Sequence, residues 1–249
     1  MCNRVGQLAM GEVVQPDLLE SLGMAPPSPV AAEEAGAIAT PGPAPEPAAI
    51  APAALQPAER DARLAALSQS CAACRRCALA AGRQRVVVAR GNPEARLMVI
   101  GEGPGAQEDA SGLPFVGRAG QLLDQMLASV GLDSNRDAYI CNVVKCRPPE
   151  NRKPTPAEMA ACRPWLDVQL ELIQPTVVLL AGATALEGAL GEKGAITKLR
   201  GQWRSWQGRW AMPIFHPSYL LRNPSRAEGS PKWLTWRDLQ AVRQRLEEG

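Results

Sequence analysis

The stretch Arg96-Leu97-Met98-Val99-Ile100-Gly101-Glu102-Gly103-Pro104-Gly105 joins a short apolar run to a glycine-rich turn. A short, continuous apolar run that ends at a turn is typical of a strand buried on both faces of a sheet. Glycines placed directly after such a strand let backbone amides approach a ligand closely. The stretch therefore predicts a buried strand at 96–100 that leads into a binding loop.

Apolar runs of similar length recur along the chain and alternate with helical segments. Further strands are predicted at 86–88, 138–144, 176–180 and 210–215. Helices are predicted at 118–130, 156–173, in a short segment after Gly182, and at 231–246. Thr155-Pro156-Ala157-Glu158 supplies an N-cap, a first-turn proline and a capping-box glutamate for the second of these helices. This alternation predicts a three-layer α/β/α domain with a mainly parallel sheet, whose ligands bind at the carboxyl ends of the strands.

The composition divides the chain of 249 residues into two parts. Residues 25–58 contain 13 Ala and 9 Pro, so they lack the large apolar side chains that form a packed core. Residues 1–60 hold seven acids and two bases, whereas residues 61–249 hold 18 acids and 25 bases. We therefore expect a disordered, acidic tail over 1–60 and one folded, basic domain over 61–249. A basic domain is a weak indication of a polyanionic partner.

Several classes of protein are excluded by the same sequence. His216 is the single histidine, which rules out sites that need two imidazole ligands. No run of about 18 apolar residues could span a membrane, and the N-terminus lacks the features of a secretory signal. Seven cysteines, four of them at ligand-like spacings, indicate a reducing compartment and a metal site instead of a disulfide framework. We therefore expect a cytoplasmic protein.

The cysteines form one candidate metal site. Residues 71–77 follow a Cys-x2-Cys-x2-Cys pattern, and Cys146 and Cys162 lie far downstream. Four thiolates suit either tetrahedral zinc or an iron–sulfur cluster, and on spacing alone zinc is favoured. The pattern leaves open which two of the first three cysteines would be ligands. Cys141 lies in a predicted strand and is expected to be a packed thiol, while Cys2 lies in the tail.

Two loops carry further candidate residues. Phe115 lies in a loop bounded by glycine and proline, where it either caps the core or stacks on a ligand. His216 follows an apolar strand and begins the segment His216-Pro217-Ser218-Tyr219-Leu220-Leu221-Arg222. A lone histidine is either a structural hydrogen-bonding group or a functional one, and its position after a strand leaves the two interpretations equally favoured.

Three segments taken together resemble the family 4 uracil-DNA glycosylases, the iron–sulfur branch of the uracil-DNA glycosylase superfamily. They are residues 101–117, residues 216–222, and Asn142-Val143-Val144-Lys145-Cys146-Arg147-Pro148-Pro149-Glu150-Asn151-Arg152. The segments match in order, and the resemblance extends from Cys74 to the final helix. It implies a uracil-DNA glycosylase-like fold: three α/β/α layers around a central, mainly parallel four-stranded sheet.

The resemblance also implies a [4Fe-4S] cluster where spacing alone favoured zinc. Members of the family show C-x2-C-x-L followed by an arginine, a pattern matched by Cys74, Cys77, Leu79 and Arg83. The implied ligands are therefore Cys74, Cys77, Cys146 and Cys162, with Cys71 as a bystander. By resemblance the cluster is structural: it orders the surrounding loop and does no redox chemistry on the substrate.

The implied reaction is hydrolysis of the N-glycosidic bond of deoxyuridine in single- or double-stranded DNA. It releases uracil and leaves an abasic site, the first step of base excision repair. The nucleotide must leave the base stack, at a cost of a few kcal/mol. By resemblance, Phe115 would stack on the extruded uracil and Asn142 would bind its edge as donor and acceptor. The backbone near Glu102 and Gly103 would complete the pocket.

The remaining roles implied by the resemblance concern catalysis and DNA contact. His216 would donate a hydrogen bond to uracil O2 as negative charge develops on the ring. The aspartate of the better-known uracil-DNA glycosylases is replaced here by Gly103, so Glu108 is the first candidate for positioning water and Glu102 the second. Leu220 and Leu221 would wedge into the vacated stack, with one of the two expected in the core. The other residues expected to contact DNA are Ser218, Lys145, Arg147, Arg152, Arg200 and Arg222.

Two alternatives stand beside this interpretation. One is a superfamily relative that traps DNA covalently; that branch carries a basic, histidine-containing insert where this chain has residues 147–152. The other is a DNA-binding module that kept the fold and the cluster without catalysis. The presence of Phe115, Asn142 and His216 together favours the enzyme, which we expect to act as a monomer.

Overall fold

The computed structural model describes residues 55–248, and most of the predicted tail lies outside the described residues. The helices are α1 (Pro57–Ala72), α2 (Leu79–Gly82), α3 (Ala106–Ser111), α4 (Arg118–Ala128), α5 (Pro156–Ile173), α6 (Ala183–Leu190), α7 (Ile196–Leu199), α8 (Pro217–Arg222) and α9 (Pro231–Glu248). The strands are β1 (Arg90–Gly91), β2 (Leu97–Gly101), β3 (Ala138–Asn142), β4 (Val177–Ala181), β5 (Arg204–Trp206) and β6 (Arg209–Ile214). A single 3-10 turn at Pro149–Asn151 follows β3 within the described residues.

The strands form one six-stranded sheet in the order β1-β3-β2-β4-β6-β5. The four central strands β3, β2, β4 and β6 run parallel to one another. The edge strands β1 and β5 pair antiparallel with β3 and β6. The predicted fold class is confirmed, and two edge strands of two and three residues extend the four parallel strands to six.

The strand predicted at 86–88 is absent, so that prediction is wrong, and the strand predicted at 138–144 is shorter than expected. Residues 86–88 form no strand, although Val87 is buried and its N–H donates to the carbonyl oxygen of Lys145 at 2.8 Å. This segment buries its apolar side chain beside the sheet without a ladder of hydrogen bonds, and pairing with β3 begins only at Arg90. β3 ends at Asn142, so residues 143 and 144 belong to the following loop.

Alternate side chains of β2 point to opposite faces of the sheet, as the two-residue period of a strand requires. Leu97 and Val99 belong to one buried core with side chains of α4 and α9. Met98 and Ile100 belong to a second core with side chains of α5 and α6. Helices therefore cover both faces of the sheet, which gives the three layers predicted from the sequence.

The start of α5 follows the predicted capping box. Thr155 Oγ1 accepts a hydrogen bond from the Glu158 N–H at 3.2 Å, and Glu158 Oε2 accepts one from the Thr155 N–H at 2.8 Å. Pro156 lies in the first turn of α5. A backbone N–H at this position has no partner within the helix, so the N–H that proline lacks costs no helical hydrogen bond. The predicted helix start is confirmed, and α5 then places Cys162 in the interior.

The parallel strands bring three distant segments to one edge of the sheet. Gly101 at the end of β2 is in register with Asn142 at the end of β3, and β6 ends at Ile214 beside the end of β4. The glycine-rich turn, the segment after Asn142 and His216 therefore leave the sheet at the same edge. Over residues 55–248, no helix is long and apolar enough to cross a membrane.

Candidate active site

A cavity of about 400 Å³ opens where the parallel strands end. This volume lies within the usual range of small-molecule sites. The predicted residues that line it are Glu102, Gly103, Glu108, Phe115, Asn142, Arg152, His216, Ser218 and Arg222. The fold therefore gathers side chains from three separate segments around one space.

Phe115 forms one wall of the cavity. Its side chain is buried, and its ring centroid lies 5.9 Å from that of His216 with the ring planes 31° apart. Its backbone has φ 53°, a left-handed conformation that is uncommon for a bulky residue. Two glycines make room for it: a Cβ on Gly101 would lie 2.4 Å from Phe115 Cζ, and one on Gly120 would lie 1.8 Å from its carbonyl oxygen. These close approaches fix the position of the ring.

Asn142 ends β3 with its side chain buried at the cavity. Its Oδ1 is buried and has no hydrogen-bond partner among residues 55–248. Leaving a buried acceptor unpaired costs about 1–3 kcal/mol, so this oxygen is suited to a donor on a bound ligand. Gly101 leaves the space open, because a Cβ there would lie 2.5 Å from Oδ1.

His216 follows β6 and is the N-cap of α8. Its Nδ1 accepts a hydrogen bond from the Ser218 N–H at 3.1 Å and lies 2.7 Å from Ser218 Oγ. Burial, together with the positive charge of Arg222, lowers the pKa of His216 to about 4. The ring is therefore neutral near pH 7, and because Nδ1 accepts, its proton is on Nε2. His216 can thus donate a hydrogen bond from Nε2 without carrying a charge.

Glu108 serves the architecture of the loop that it belongs to. Its Oε1 accepts hydrogen bonds from the N–H groups of Val116 and Gly117 at 3.0 and 2.9 Å, and its Oε2 accepts one from Gly105 at 3.1 Å. Three backbone donors hold the carboxylate, so its main task is to fasten the glycine-rich turn to the loop that carries Phe115. This geometry makes Glu108 a weaker candidate for positioning water than the sequence suggested.

Glu102 is the second acid at the cavity, and among the described residues only one of its carboxylate oxygens has a hydrogen-bond partner. Its Oε2 accepts a hydrogen bond from Thr184 Oγ1 at 2.5 Å. Thr184 is buried in the first turn of α6, 82 positions further along the chain. No feature of the sequence linked Thr184 to this site.

Gly120 is a second residue that the sequence analysis did not identify. It could have been found, because an isolated glycine inside a predicted helix often marks close packing.

The arginines predicted to contact DNA differ in their surroundings. Arg152 forms a two-bond ion pair with Glu158, with N–O distances of 2.7 and 2.8 Å. The Arg147 Nε donates to Asn151 Oδ1 at 2.8 Å. Arg222 is exposed at the cavity and forms no ion pair with the described carboxylates. Arg222 is therefore the cation most open to a phosphate.

Lys145 and Arg200 cannot bind a phosphate, and both predictions are wrong. Lys145 is fully buried, with its Nζ donating to the Asn142 carbonyl oxygen at 2.7 Å and to Gln169 Oε1 at 2.5 Å. Arg200 is largely buried in an ion pair with Asp238. Neither side chain can turn to the surface without leaving these partners inside the protein.

Leu220 and Leu221 lie on different sides of α8. Leu220 is completely buried, which rules out the predicted wedge role for this residue. Leu221 is partly exposed. The expectation that one of the two packs in the core therefore holds, and Leu221 remains the candidate for contact with DNA.

A second, smaller cavity gathers the cysteines. Its lining includes Cys71, Cys74, Cys77, Cys146 and Cys162. Residues 73–78, between α1 and α2, form the cysteine loop. Arg83 holds this loop in place: its guanidinium donates hydrogen bonds to the carbonyl oxygens of Ala72 and Cys74 at 2.8 Å and to Cys146 Sγ at 3.4 Å. Burial raises the pKa of Cys162 to about 11. Cys141 is also buried, as expected for a packed thiol.

The four predicted ligands thus share one cavity, and Cys71 lies there with them. Among residues 55–248, no three His, Cys, Asp or Glu side chains are arranged to hold a single metal ion.

Comparison with known proteins agrees with this geometry. The family model for the uracil DNA glycosylase superfamily matches residues 88–240. A type-4 uracil-DNA glycosylase of Thermotoga maritima is 49% identical over 168 residues, which cover 67% of this chain and 87% of the relative. A type-4 uracil-DNA glycosylase of Archaeoglobus fulgidus is 40% identical over 164 residues, 62% of this chain and 81% of the relative.

The type-5 enzymes of the superfamily match a shorter part of the chain. A type-5 uracil-DNA glycosylase of Thermus thermophilus is 38% identical over 124 residues, 44% of this chain and 56% of the relative. The matches to the type-4 proteins are longer, and their identity reaches 49%. The chain therefore belongs to the uracil-DNA glycosylase superfamily and, within it, to the type-4 uracil-DNA glycosylases.

Proposed function

We propose that this protein excises uracil from DNA by hydrolysing the N-glycosidic bond of deoxyuridine, which leaves an abasic site. The observation that carries the proposal is the buried Oδ1 of Asn142, which has no partner in the described part of the chain and lies in a cavity walled by Phe115 and His216. The names of the type-4 relatives support the same reaction.

The amide of Asn142 distinguishes uracil from cytosine. Its Oδ1 accepts from the N3–H of uracil, while its Nδ2 donates to O4. Cytosine has an unprotonated N3 and an amino group at C4, so it offers an acceptor and a donor in the opposite order. An extruded uracil would stack on Phe115, a contact worth about 1–3 kcal/mol. This offsets part of the few kcal/mol that extrusion costs.

Bond cleavage places negative charge on the uracil ring and positive charge on the sugar. The Nε2–H of His216 is the donor for uracil O2, and this hydrogen bond strengthens as the ring becomes an anion. Ser218 and the turn of α8 fix the ring in advance, so no reorganisation is needed during the reaction. Loss of such a donor costs on the order of 100–1000-fold in rate.

The acid that supports the sugar and the attacking water is, in our proposal, Glu102. One of its oxygens is bound by Thr184 and the other has no partner among the described residues. Glu108 fastens the loop through three backbone bonds and acts indirectly by positioning Phe115. Arg222, together with Arg147 and Arg152, binds the DNA backbone, and Leu221 fills the space that the extruded nucleotide leaves.

We propose that the residues around the cysteine cavity hold a [4Fe-4S] cluster, with zinc as the alternative. A zinc ion binds thiolates at about 2.3 Å, which brings its four sulfurs close together. The thiols here share a cavity without converging on a single-ion site. N–H groups already point at two of the sulfurs, since Lys145 N–H donates to Cys162 Sγ at 3.3 Å and Arg83 donates to Cys146 Sγ. When bound, the cluster ties the cysteine loop to α5. The enzyme would act as a cytoplasmic monomer.

A single-turnover assay with DNA that carries one deoxyuridine tests the reaction. We expect strand breakage after alkali, free uracil, and no protein–DNA adduct on a denaturing gel. His216→Ala should lower the rate 100-fold or more and leave DNA affinity nearly unchanged. An adduct would favour the covalent-trapping alternative. Wild-type protein that binds DNA without releasing uracil would favour the non-catalytic module.

Serine variants of the cysteines test the identity and the ligands of the cofactor. Cys74→Ser should abolish most of the iron and the broad visible absorbance, because it removes one proposed ligand. Cys71→Ser is the matched control, since this buried cysteine lines the same cavity but is not a proposed ligand. Equal iron loss in both variants would contradict the assignment, and a colourless protein containing zinc would contradict the cluster.

A further inference from the structure

In the described part of the chain, Lys145 is a buried lysine that pairs with no carboxylate. It is fully buried, and its Nζ donates to two neutral oxygens, the Asn142 carbonyl and Gln169 Oε1. Gln169 is itself held by the Val88 carbonyl oxygen and the Tyr139 hydroxyl, each at 3.0 Å. No ion pair joins Lys145 to an acid of residues 55–248. A buried charge that lacks a counter-charge is strongly unfavourable, so an anion nearby would stabilise this side chain.

The cysteine cavity supplies the place for that anion. Lys145 lines the cavity together with the proposed ligands. Its backbone N–H donates to Cys162 Sγ, and Cys146 is the next residue in the chain. A [4Fe-4S] core in its 2+ state and its four thiolate ligands together carry a net charge of −2, which a nearby cation would partly balance.

We infer that Lys145 is the buried counter-ion of the cluster and that the same ammonium group joins the cluster cavity to the end of β3, where Asn142 lies. The inference rests on the cluster proposed above. The hydrogen bond to the Asn142 carbonyl gives the cluster a direct link to the strand end that carries the base-binding amide. Lys145 is thus a positioning residue, and it contacts neither substrate nor DNA.

The charge of Lys145 should set the reduction potential of the cluster. One-electron reduction makes the cluster more negative by one charge, and a neighbouring cation favours that state. Removing the cation should therefore shift the potential in the negative direction. It should also speed the loss of iron in air, because the anionic cluster then lacks its counter-charge.

The test uses wild-type holoprotein, Lys145→Gln, Lys145→Met and Lys145→Arg, with Lys198→Gln as a control at an exposed lysine. The potential is measured at an electrode without DNA, and iron content and the rate of absorbance loss in air are followed in parallel. We expect Gln and Met to lower the potential and to shorten the lifetime of the cluster severalfold. Arg and the Lys198 control should stay near wild type.

The glutamine variant removes the charge and keeps a hydrogen-bond donor on a slightly shorter side chain, so it gives the measurement even where Met does not fold. A Gln variant with wild-type potential and cluster lifetime would overturn the inference. So would an Arg variant that behaves like Gln, because the role would then be packing. A folded Gln variant without iron, beside an Arg variant that holds iron, would support it. Since DNA is absent, failure here leaves the proposal of uracil excision standing.

Discussion

The immediate neighbours of His216 determine its tautomer and its pKa. The N-cap position aims the Ser218 N–H at Nδ1, and this fixes the tautomer. Burial at the end of β6 and the charge of Arg222 lower the pKa of His216 to about 4, so the neutral ring persists through the physiological range. A histidine that stays neutral can act as a hydrogen-bond donor at constant strength over a broad range of pH.

The pH dependence of uracil excision should report this pKa. We expect the single-turnover rate constant to show no inflection near 6.5, the ordinary pKa of histidine, and to fall as the pH approaches 4. The rate falls there because protonation of Nδ1 abolishes its hydrogen bond from the Ser218 N–H. The folded protein also loses stability in this range: between pH 6.5 and 4 the unfolded chain binds a proton that the folded chain excludes. Rates measured from pH 4 to 9, with circular dichroism to monitor unfolding, would contradict the assignment if they showed an inflection near 6.5.

Gly101 determines the position of both base-binding side chains. Gly101→Ala would place a Cβ 2.4 Å from Phe115 Cζ and 2.5 Å from Asn142 Oδ1, so both side chains must move. Displacement of a binding group by about 1 Å can cost on the order of 100-fold in rate. We expect a loss of that size in single-turnover excision, with iron content unchanged. Gly82→Ala is the matched control, because its Cβ meets nothing within 4 Å; similar losses in both variants would contradict the role of Gly101.

Among the elements, the four parallel strands could be predicted because each is a continuous apolar run. The two- and three-residue strands β1 and β5 are too short to show a period, and the run at 86–88 is apolar because it is buried without being paired. The sequence also does not show how the helix that follows His216 is rotated against the core. Leu220 and Leu221 are chemically identical neighbours, and only the rotation of α8 against the core decides which one is buried.

The two leucines of α8 should therefore have different phenotypes. Leu221→Ala should slow uracil excision from duplex DNA about tenfold and hardly affect single-stranded DNA, because only a duplex leaves a stack to be filled. Leu220→Ala should instead lower the free energy of unfolding by about 2–5 kcal/mol, since it creates a cavity in the core. Denaturant unfolding and single-turnover rates on both substrates separate the two effects. A stability loss from Leu221→Ala comparable to that of Leu220→Ala would place both side chains in the core.

In the whole molecule, the sequence could predict which segments meet at the cavity because parallel strands end at one edge of a sheet. It could not predict the direction in which a charged side chain turns. Lys145 lies in the same motif as Arg147 and Arg152, yet it points into the protein, where Gln169 of α5 and the cysteine cavity surround it. Arg200 is likewise buried by a partner 38 positions away. These burials depend on the packing of distant elements, and local patterns do not record them.

The position of the remaining cations predicts how DNA binding responds to salt. Each phosphate contact contributes about 0.9 to the slope of log affinity against log salt. Arg222→Gln should lower that slope by about one contact, because this exposed arginine lies at the cavity where the strands end. Arg136→Gln removes the same charge before the start of β3, at the opposite edge of the sheet, where Arg136 pairs with Asp137. It should leave the slope unchanged. Titrations of uracil-free duplex at several salt concentrations measure both variants, and equal slopes for the two would show that DNA does not approach through the edge that carries His216 and Asn142.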